Sequence, residues 1–217
     1  MSEPQSDPSS THLEPYRKAL DRFGAGFRAT LWASREAQHL RFDVMTGMAD
    51  FEDRRIIDVG CGLGDFAAHL LDRRIRYRSF IGIDAFSEMI DQARQRELAN
   101  ARFEAIDLVA KPDRLADFPA DFVCISGTLN TMDDETARGL IRSCFEHAEE
   151  AVIFNFLSDR PHDRWKGRDL TPARRFDTVA WIDWALSLSS RVVFAQDYLD
   201  GHDATICIRR EPVGADA

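Results

Sequence analysis

Apolar residues along this chain alternate between helical spacing and short continuous runs. From Leu13 to Met48 the spacing is helical, with a break near Gly24 and Gly26. The second piece, Leu31 to Met48, sets Leu31, Phe42, Val44, Met45 and Met48 among Ser34, Arg35, Gln38 and Arg41. Arg55–Val59 then reads as a short buried strand, and a Gly-rich turn from Gly60 to Gly64 leads into a helix over Asp65–Arg73. The next strand, Phe80–Ile83, ends at Asp84, with Ser87 placed to cap a helix over Glu88–Leu98. A third strand over Ala101–Ile106 ends at Asp107, and a fourth covers Asp121–Ser126. Thr131 and Asp134 have the spacing of a capping box for a helix over Met132–Ala148, before a fifth strand over Ala151–Phe156.

Beyond that strand the pattern changes. Ser158–Phe176 is rich in Arg, Asp and Pro and contains Trp165, which marks a long connection. Asp177 is placed to cap a helix reaching about Leu188. Two β-rich runs, Arg191–Tyr198 and Ala204–Arg210, flank Leu199 to Asp203, whose Asp-Gly step is hairpin chemistry. Repeated strand–helix units predict an α/β fold with a doubly wound, mostly parallel sheet of seven strands, a terminal antiparallel hairpin and N-terminal flanking helices.

Composition narrows the class. The chain is 44% hydrophobic and 30% charged, globular usage at a length of 217 residues that suits one domain. The polar, Pro/Ser-rich stretch 1–12 is expected to be disordered, with a single domain over 13–212, a helical lid over 13–50 and a tail over 213–217. With 37 acidic against 28 basic residues, the net charge of -9 disfavours nucleic acid as a partner. Cys61, Cys124, Cys144 and Cys207 show no metal-ligand or disulfide spacing, so no metal is expected. Without an apolar targeting segment or a run of membrane-spanning length, a cytoplasmic protein is expected.

The chemistry concentrates in Asp58-Val59-Gly60-Cys61-Gly62-Leu63-Gly64, between a predicted strand and a predicted helix. Glycines there permit a tight turn and close approach of a ligand to backbone N–H groups at a helix start. Asp84 lies at the end of the second strand, twenty positions after Gly64, where a carboxylate can accept two ribose hydroxyl protons. Asp107 ends the third strand. Three acidic strand ends around one Gly-rich turn suit an adenosine-containing ligand. Asp65 stands where a dinucleotide fingerprint wants its last glycine, so the nicotinamide reading is the weaker one.

With these motifs in this order, the chain resembles the class I S-adenosylmethionine-dependent methyltransferases, whose fold is Rossmann-like, over nearly its whole length. Ile57–Gly64 is similar to their first motif and Ile81–Asp84 to their second. The resemblance implies that the backbone around Gly60 and Gly62 holds the methionine part of S-adenosylmethionine, that Asp84 binds the ribose, and that Asp107 and Leu108 hold the adenine. It also implies a seventh strand lying antiparallel between the fifth and sixth. The residues expected to touch the cofactor are Arg35, Arg41, Asp58, Gly60, Cys61, Gly62, Gly64, Asp84, Ala85, Met89, Asp107, Leu108, Ser126 and Gly127. Further segments resemble a narrower group of small, largely bacterial members: Ser34-Arg35-Glu36-Ala37-Gln38, Ser126-Gly127 with Asn130, and Asn155-Phe156-Leu157-Ser158. Ala204 departs from that group's pattern, which has an aromatic residue there.

Methyl transfer from a sulfonium, yielding S-adenosylhomocysteine, needs no covalent enzyme intermediate, so positioning can supply most of the catalysis. His162 and His202 are the candidate bases, and Asn130 the third catalytic candidate. Asn130, Asn155, Trp165 and Tyr198 are expected to line the acceptor pocket, because ligands bind beyond the carboxyl ends of the strands. The fourth strand ends in Ser126-Gly127-Thr128-Leu129-Asn130, without the Asn-Pro-Pro-aromatic signature of amino-methylating enzymes of nucleic acid and protein, which favours a small-molecule acceptor. A non-catalytic S-adenosylmethionine-binding protein and a protein or RNA methyltransferase remain the alternatives. For the latter the basic Arg160–Arg175 stretch is the candidate recognition surface. The sequence does not indicate an oligomeric state.

Overall fold

The computed structural model describes residues 8–211. Seven strands, β1 (Arg55–Val59), β2 (Ser79–Asp84), β3 (Ala101–Ala105), β4 (Phe122–Ile125), β5 (Ala151–Leu157), β6 (Val192–Ala195) and β7 (Asp203–Arg209), form one sheet. Their order is β3-β2-β1-β4-β5-β7-β6. β1 to β5 run parallel, and β7 lies antiparallel between β5 and β6, as the family resemblance implied. Successive side chains in a strand point to opposite faces, and here both faces are covered. On β1, Ile56 enters one apolar layer with Phe42, Phe66 and Leu70, while Ile57 enters the other with Ile141, Phe154 and Trp181. All eight are at most 3% exposed. Ala204, the departure from pattern, is fully buried opposite Phe156 in the β5–β7 ladder.

Six helices flank the sheet: α1 (Glu14–Phe23), α2 (Arg35–Met48), α3 (Asp65–Asp72), α4 (Ser87–Arg94), α5 (Asp134–His147) and α6 (Thr178–Leu188). The Asp177 carboxylate caps α6 as expected, accepting the Ala180 N–H at 2.9 Å. Three other helix starts differ from expectation. α2 begins at Arg35, not Leu31, because Phe27–Thr30 closes a short 3-10 turn and Leu31 is left-handed (φ 60°), after which Ser34 caps the helix through the Ala37 N–H. Ser87 is already the first residue of α4, with its hydroxyl on Glu88. α5 is capped by Asp133, which accepts the Thr136 N–H at 2.7 Å; Thr131 belongs to a preceding 3-10 turn.

Two further differences concern connections. β6 and β7 are joined across residues 196–202 rather than Leu199–Asp203, because β6 already ends at Ala195 and a 3-10 turn over Leu199–Gly201 follows. The described part of the stretch expected to be disordered is also ordered: Pro8–Leu13 is a 3-10 helix, with His12 buried. Residues 1–7, and the expected tail 213–217, lie outside the described residues. The long connection after β5 is closed at its base by a bridge between Ser158 and Phe176, whose ring packs 4.5 Å from Trp181. Strand order reverses between β1 and β4, so the crevice of this sheet opens at their carboxyl ends.

Candidate active site

A deep cleft occupies that crevice, with about 950 Å³ of empty space, part of it open to solvent. Its floor is the turn after β1, contributing Asp58, Gly60, Cys61, Gly62 and Asp65. The turn is held by backbone bonds, with Gly60 and Cys61 both donating to the Ile83 carbonyl at 2.8 and 3.0 Å. Gly60 has φ 74°, and a Cβ there would come within 2.0 Å of the Thr128 hydroxyl oxygen, so no larger residue fits. Gly64, the N-cap of α3, faces the Phe103 ring and does not line the cleft.

The end of β2 supplies Asp84, Ala85, Phe86 and Met89. One Asp84 oxygen accepts the Gly62 N–H at 2.9 Å and the other the Phe86 N–H at 3.0 Å. This carboxylate therefore ties the Gly-rich turn to the end of β2, and each oxygen retains capacity for a second donor. β3 adds Ile106, Asp107, Leu108 and Val109, where Asp107 closes a turn by accepting the Val109 and Ala110 N–H groups. β4 adds Ser126, Gly127 and Thr128.

Acidic groups dominate the electrostatics. Burial first, then the charges of Asp84 and Asp65, raise Asp58 to about 8. Burial also raises Asp84, against the opposing effect of its backbone hydrogen bonds. No Arg or Lys lines the cleft among the described residues. No cluster of His, Cys, Asp or Glu among them could hold a metal ion.

The N-terminal segment covers the cleft with His12, Tyr16, Thr30, Trp32 and Gln38. Gly127 is the point of closure. Its carbonyl accepts from the Tyr16 hydroxyl at 3.3 Å, its N–H donates to Asn155 at 2.9 Å, and a Cβ on it would meet the Trp32 ring at 2.4 Å. The Arg41 guanidinium lies 4.8 Å from the Trp32 ring centre. These covering residues were hard to find in the sequence. Leu13, Tyr16 and Leu20 read as the apolar stripe of a helix, and Trp32 stands in a stretch of turn residues.

Several sequence candidates lie elsewhere. Arg41 is buried and pairs with Asp203 through Nε at 2.6 Å and Nη2 at 2.5 Å, and it does not reach the cleft. Arg35 is half exposed, stacked on Phe27 and 4.0 Å from Asp65 at the cleft's edge. Asn155 is fully buried within β5, where it orders the end of β4 by accepting the Gly127 N–H and donating to Ser126 at 2.8 Å. Asn130 accepts the Leu157 N–H at 3.0 Å, and the Tyr198 hydroxyl bonds Thr205 at 2.6 Å. Neither lines the cleft.

The two histidines are also remote from it. His162 is exposed and accepts the Arg164 N–H. His202 stacks on Trp165 with ring centres 4.0 Å apart, and its Nδ1 lies 3.0 Å from Arg175 Nη2. Arginine only donates, so Nδ1 accepts and the neutral ring carries its proton on Nε2, leaving no free lone pair for a base. Burial, then the positive charge of Arg175, lowers this histidine to about 4. Trp165 thus pins the long connection to the hairpin loop rather than walling the cleft.

Residues 56–150 match a family model described as a methyltransferase domain. A search of curated proteins finds no match. Among solved structures, the chain resembles a DhpI–SAH complex at 17% identity and a TM-score of 0.64, covering 94% of this chain and 97% of that one. It also resembles magnesium protoporphyrin IX methyltransferase from Synechocystis PCC 6803 with bound SAM, at 16% identity and a TM-score of 0.62 over 97% and 100% of the two chains. The methyltransferase domain of bacterial CtHen1-CN is similar at 15% identity and a TM-score of 0.64, over 80% and 99%. Residues 56–150 are thus similar to a methyltransferase domain, and the likeness to these solved structures shows that the chain shares their fold.

Proposed function

We propose that the cleft binds S-adenosylmethionine and directs its methyl group to a small-molecule acceptor, in a cytoplasmic setting. The carrying observation is Asp84: it lines the cleft with one backbone N–H on each oxygen, so its carboxylate is oriented and still able to accept two hydroxyl protons. The group fits this donor set. The floor at Gly60 has no room for a side chain, and an acidic wall without Arg or Lys suits a ligand carrying a sulfonium and an ammonium. In this reading Asp58, Gly60, Cys61 and Gly62 hold the methionine part, Asp84, Ala85 and Met89 the ribose, Asp107 and Leu108 the adenine, and Ser126 and Gly127 the sulfur end.

The cofactor supplies an electrophilic methyl on a sulfonium. The chain's part is placement: Tyr16 bonds the Gly127 carbonyl and Trp32 lies against the same glycine, so the two cover part of the cleft. His202, whose Nδ1 accepts from Arg175, and the exposed His162 both lie outside the cleft, so in this reading neither serves as the base and placement is the chain's main contribution. A small acceptor is favoured over nucleic acid by the 160–175 stretch, where many of the cations are already engaged. Arg164 pairs with Asp200, Lys166 with Asp163 at 2.7 Å, and Arg174 with Asp134 at 2.9 Å, while Arg175 bonds carbonyls and His202. The four buried free cysteines suit a reducing compartment.

The test is calorimetry with S-adenosylhomocysteine, followed by a metabolite-extract screen for transfer of labelled methyl groups. Binding with transfer to a low-molecular-weight product supports the reading. Absence of binding, or tight binding of a nicotinamide dinucleotide, removes it.

A further inference from the structure

Gln38 is 2% exposed on α2 and lines the cleft, yet half of its amide has no partner. Its Nε2 donates to Asp65 Oδ2 at 3.1 Å, while Arg96 Nη1 holds the other Asp65 oxygen at 2.7 Å. A carboxylate only accepts, so the amide cannot flip without setting oxygen against oxygen. Gln38 Oε1 is thereby fixed as an acceptor, and no group among the described residues donates to it. Nearly all buried polar atoms in folded proteins are paired, so an acceptor held this way marks where a ligand donor sits.

The surroundings define that donor. Asp65 lies beside the amide and Asp58 is close enough to feel its charge, with no Arg or Lys on the cleft wall. A cation is stabilised there and a carboxylate repelled. Resting on the cofactor reading above, we propose that Gln38 Oε1 accepts an N–H of the cofactor's α-ammonium group and so distinguishes the amino from the carboxylate branch of the methionine part. Gln38 is then a positioning residue that sets the orientation of the amino-acid arm.

The experiment compares S-adenosylhomocysteine with its deamino analogue, which keeps the thioether and carboxylate and carries hydrogen in place of the ammonium. Both are titrated by calorimetry into the full chain and into Gln38→Leu and Gln38→Met, the second preserving side-chain length. The wild type is expected to prefer S-adenosylhomocysteine, and each folded variant to lose roughly tenfold or more of that preference, with the deamino analogue binding as before. Equal losses for both ligands, which a merely structural role would give, overturn the proposal, as does an unchanged preference. Failure of the wild type to bind S-adenosylhomocysteine at all defeats the cofactor reading itself, and the proposal with it.

Discussion

Asp58 links the site to the stability of the fold. Its carboxyl is 3% exposed and titrates at about 8 because burial and the neighbouring Asp84 and Asp65 disfavour its charge. The unfolded chain holds the same group near 3.8. Since the native value is the higher, the native state keeps a proton that the unfolded state releases, and stability falls as pH rises from about 4 to about 8. At pH 7, about three pH units above the unfolded value and at about 1.4 kcal/mol per unit, the ceiling on this cost is about 4 kcal/mol. Relaxation of the site lowers it, and Asp58→Asn, an isostere of the protonated acid, is expected to stabilise the ligand-free protein by about 1–3 kcal/mol at pH 7. Urea unfolding of both proteins at pH 5, 7 and 8.5 measures the gap, with the m-value as the check on two-state behaviour. The gap should widen with pH and flatten above 8. A gap that stays constant from pH 5 to 8.5 would refute the assignment of the raised titration to Asp58.

The remaining predictions follow from named contacts. Asp84→Ala should weaken S-adenosylhomocysteine binding by about 2–5 kcal/mol in calorimetry, through lost acceptors and a loosened Gly62. Asn155→Ala should cost about 1–3 kcal/mol of stability by denaturant unfolding, because the Gly127 N–H and the Ser126 hydroxyl lose their partner. Removing Asp203 by Asp203→Ala should destabilise by about 3–5 kcal/mol, leaving the buried Arg41 unpaired; the double variant with Arg41→Met should recover part of it. His202 has its native value lowered to about 4, below the unfolded 6.5, so its contribution is present above pH 6.5 and lost as pH falls towards 4. His202→Gln should flatten that acid limb of the stability profile.

How legible the fold was depended on whether the signal was local. β1 has the bounds its apolar run predicts and Asp84 ends β2 as read, because period and punctuation are carried within a few residues, whereas β3 stops at Ala105, two residues short of Asp107. Capping was less legible. Asp133 and Thr131 both have the chemistry, and only the 3-10 turn over Leu129–Thr131 decides between them. The least legible were buried polar residues, whose role depends on a distant partner. Asn155 and Asn130 carry side chains that could face a ligand or a backbone, and nothing in their neighbourhood says which. Gln38 and Arg41 sit one turn apart on the same helix, yet one enters the cleft and the other turns to Asp203. That difference is set by a strand at the far end of the sequence.

The same pairing constrains the order in which the molecule can form. Arg41 bonds Asp203 across 162 positions, and Arg209 reaches the Met48 carbonyl across 161, so the helix that roofs the cleft is fastened to β7, a strand made long after it. During translation the first five strands can associate while α2, made long before, still lacks its anchor. Helix docking and completion of the β5–β7 ladder should therefore form one cooperative event, and ligand-binding competence should appear only after β7 has left the ribosome.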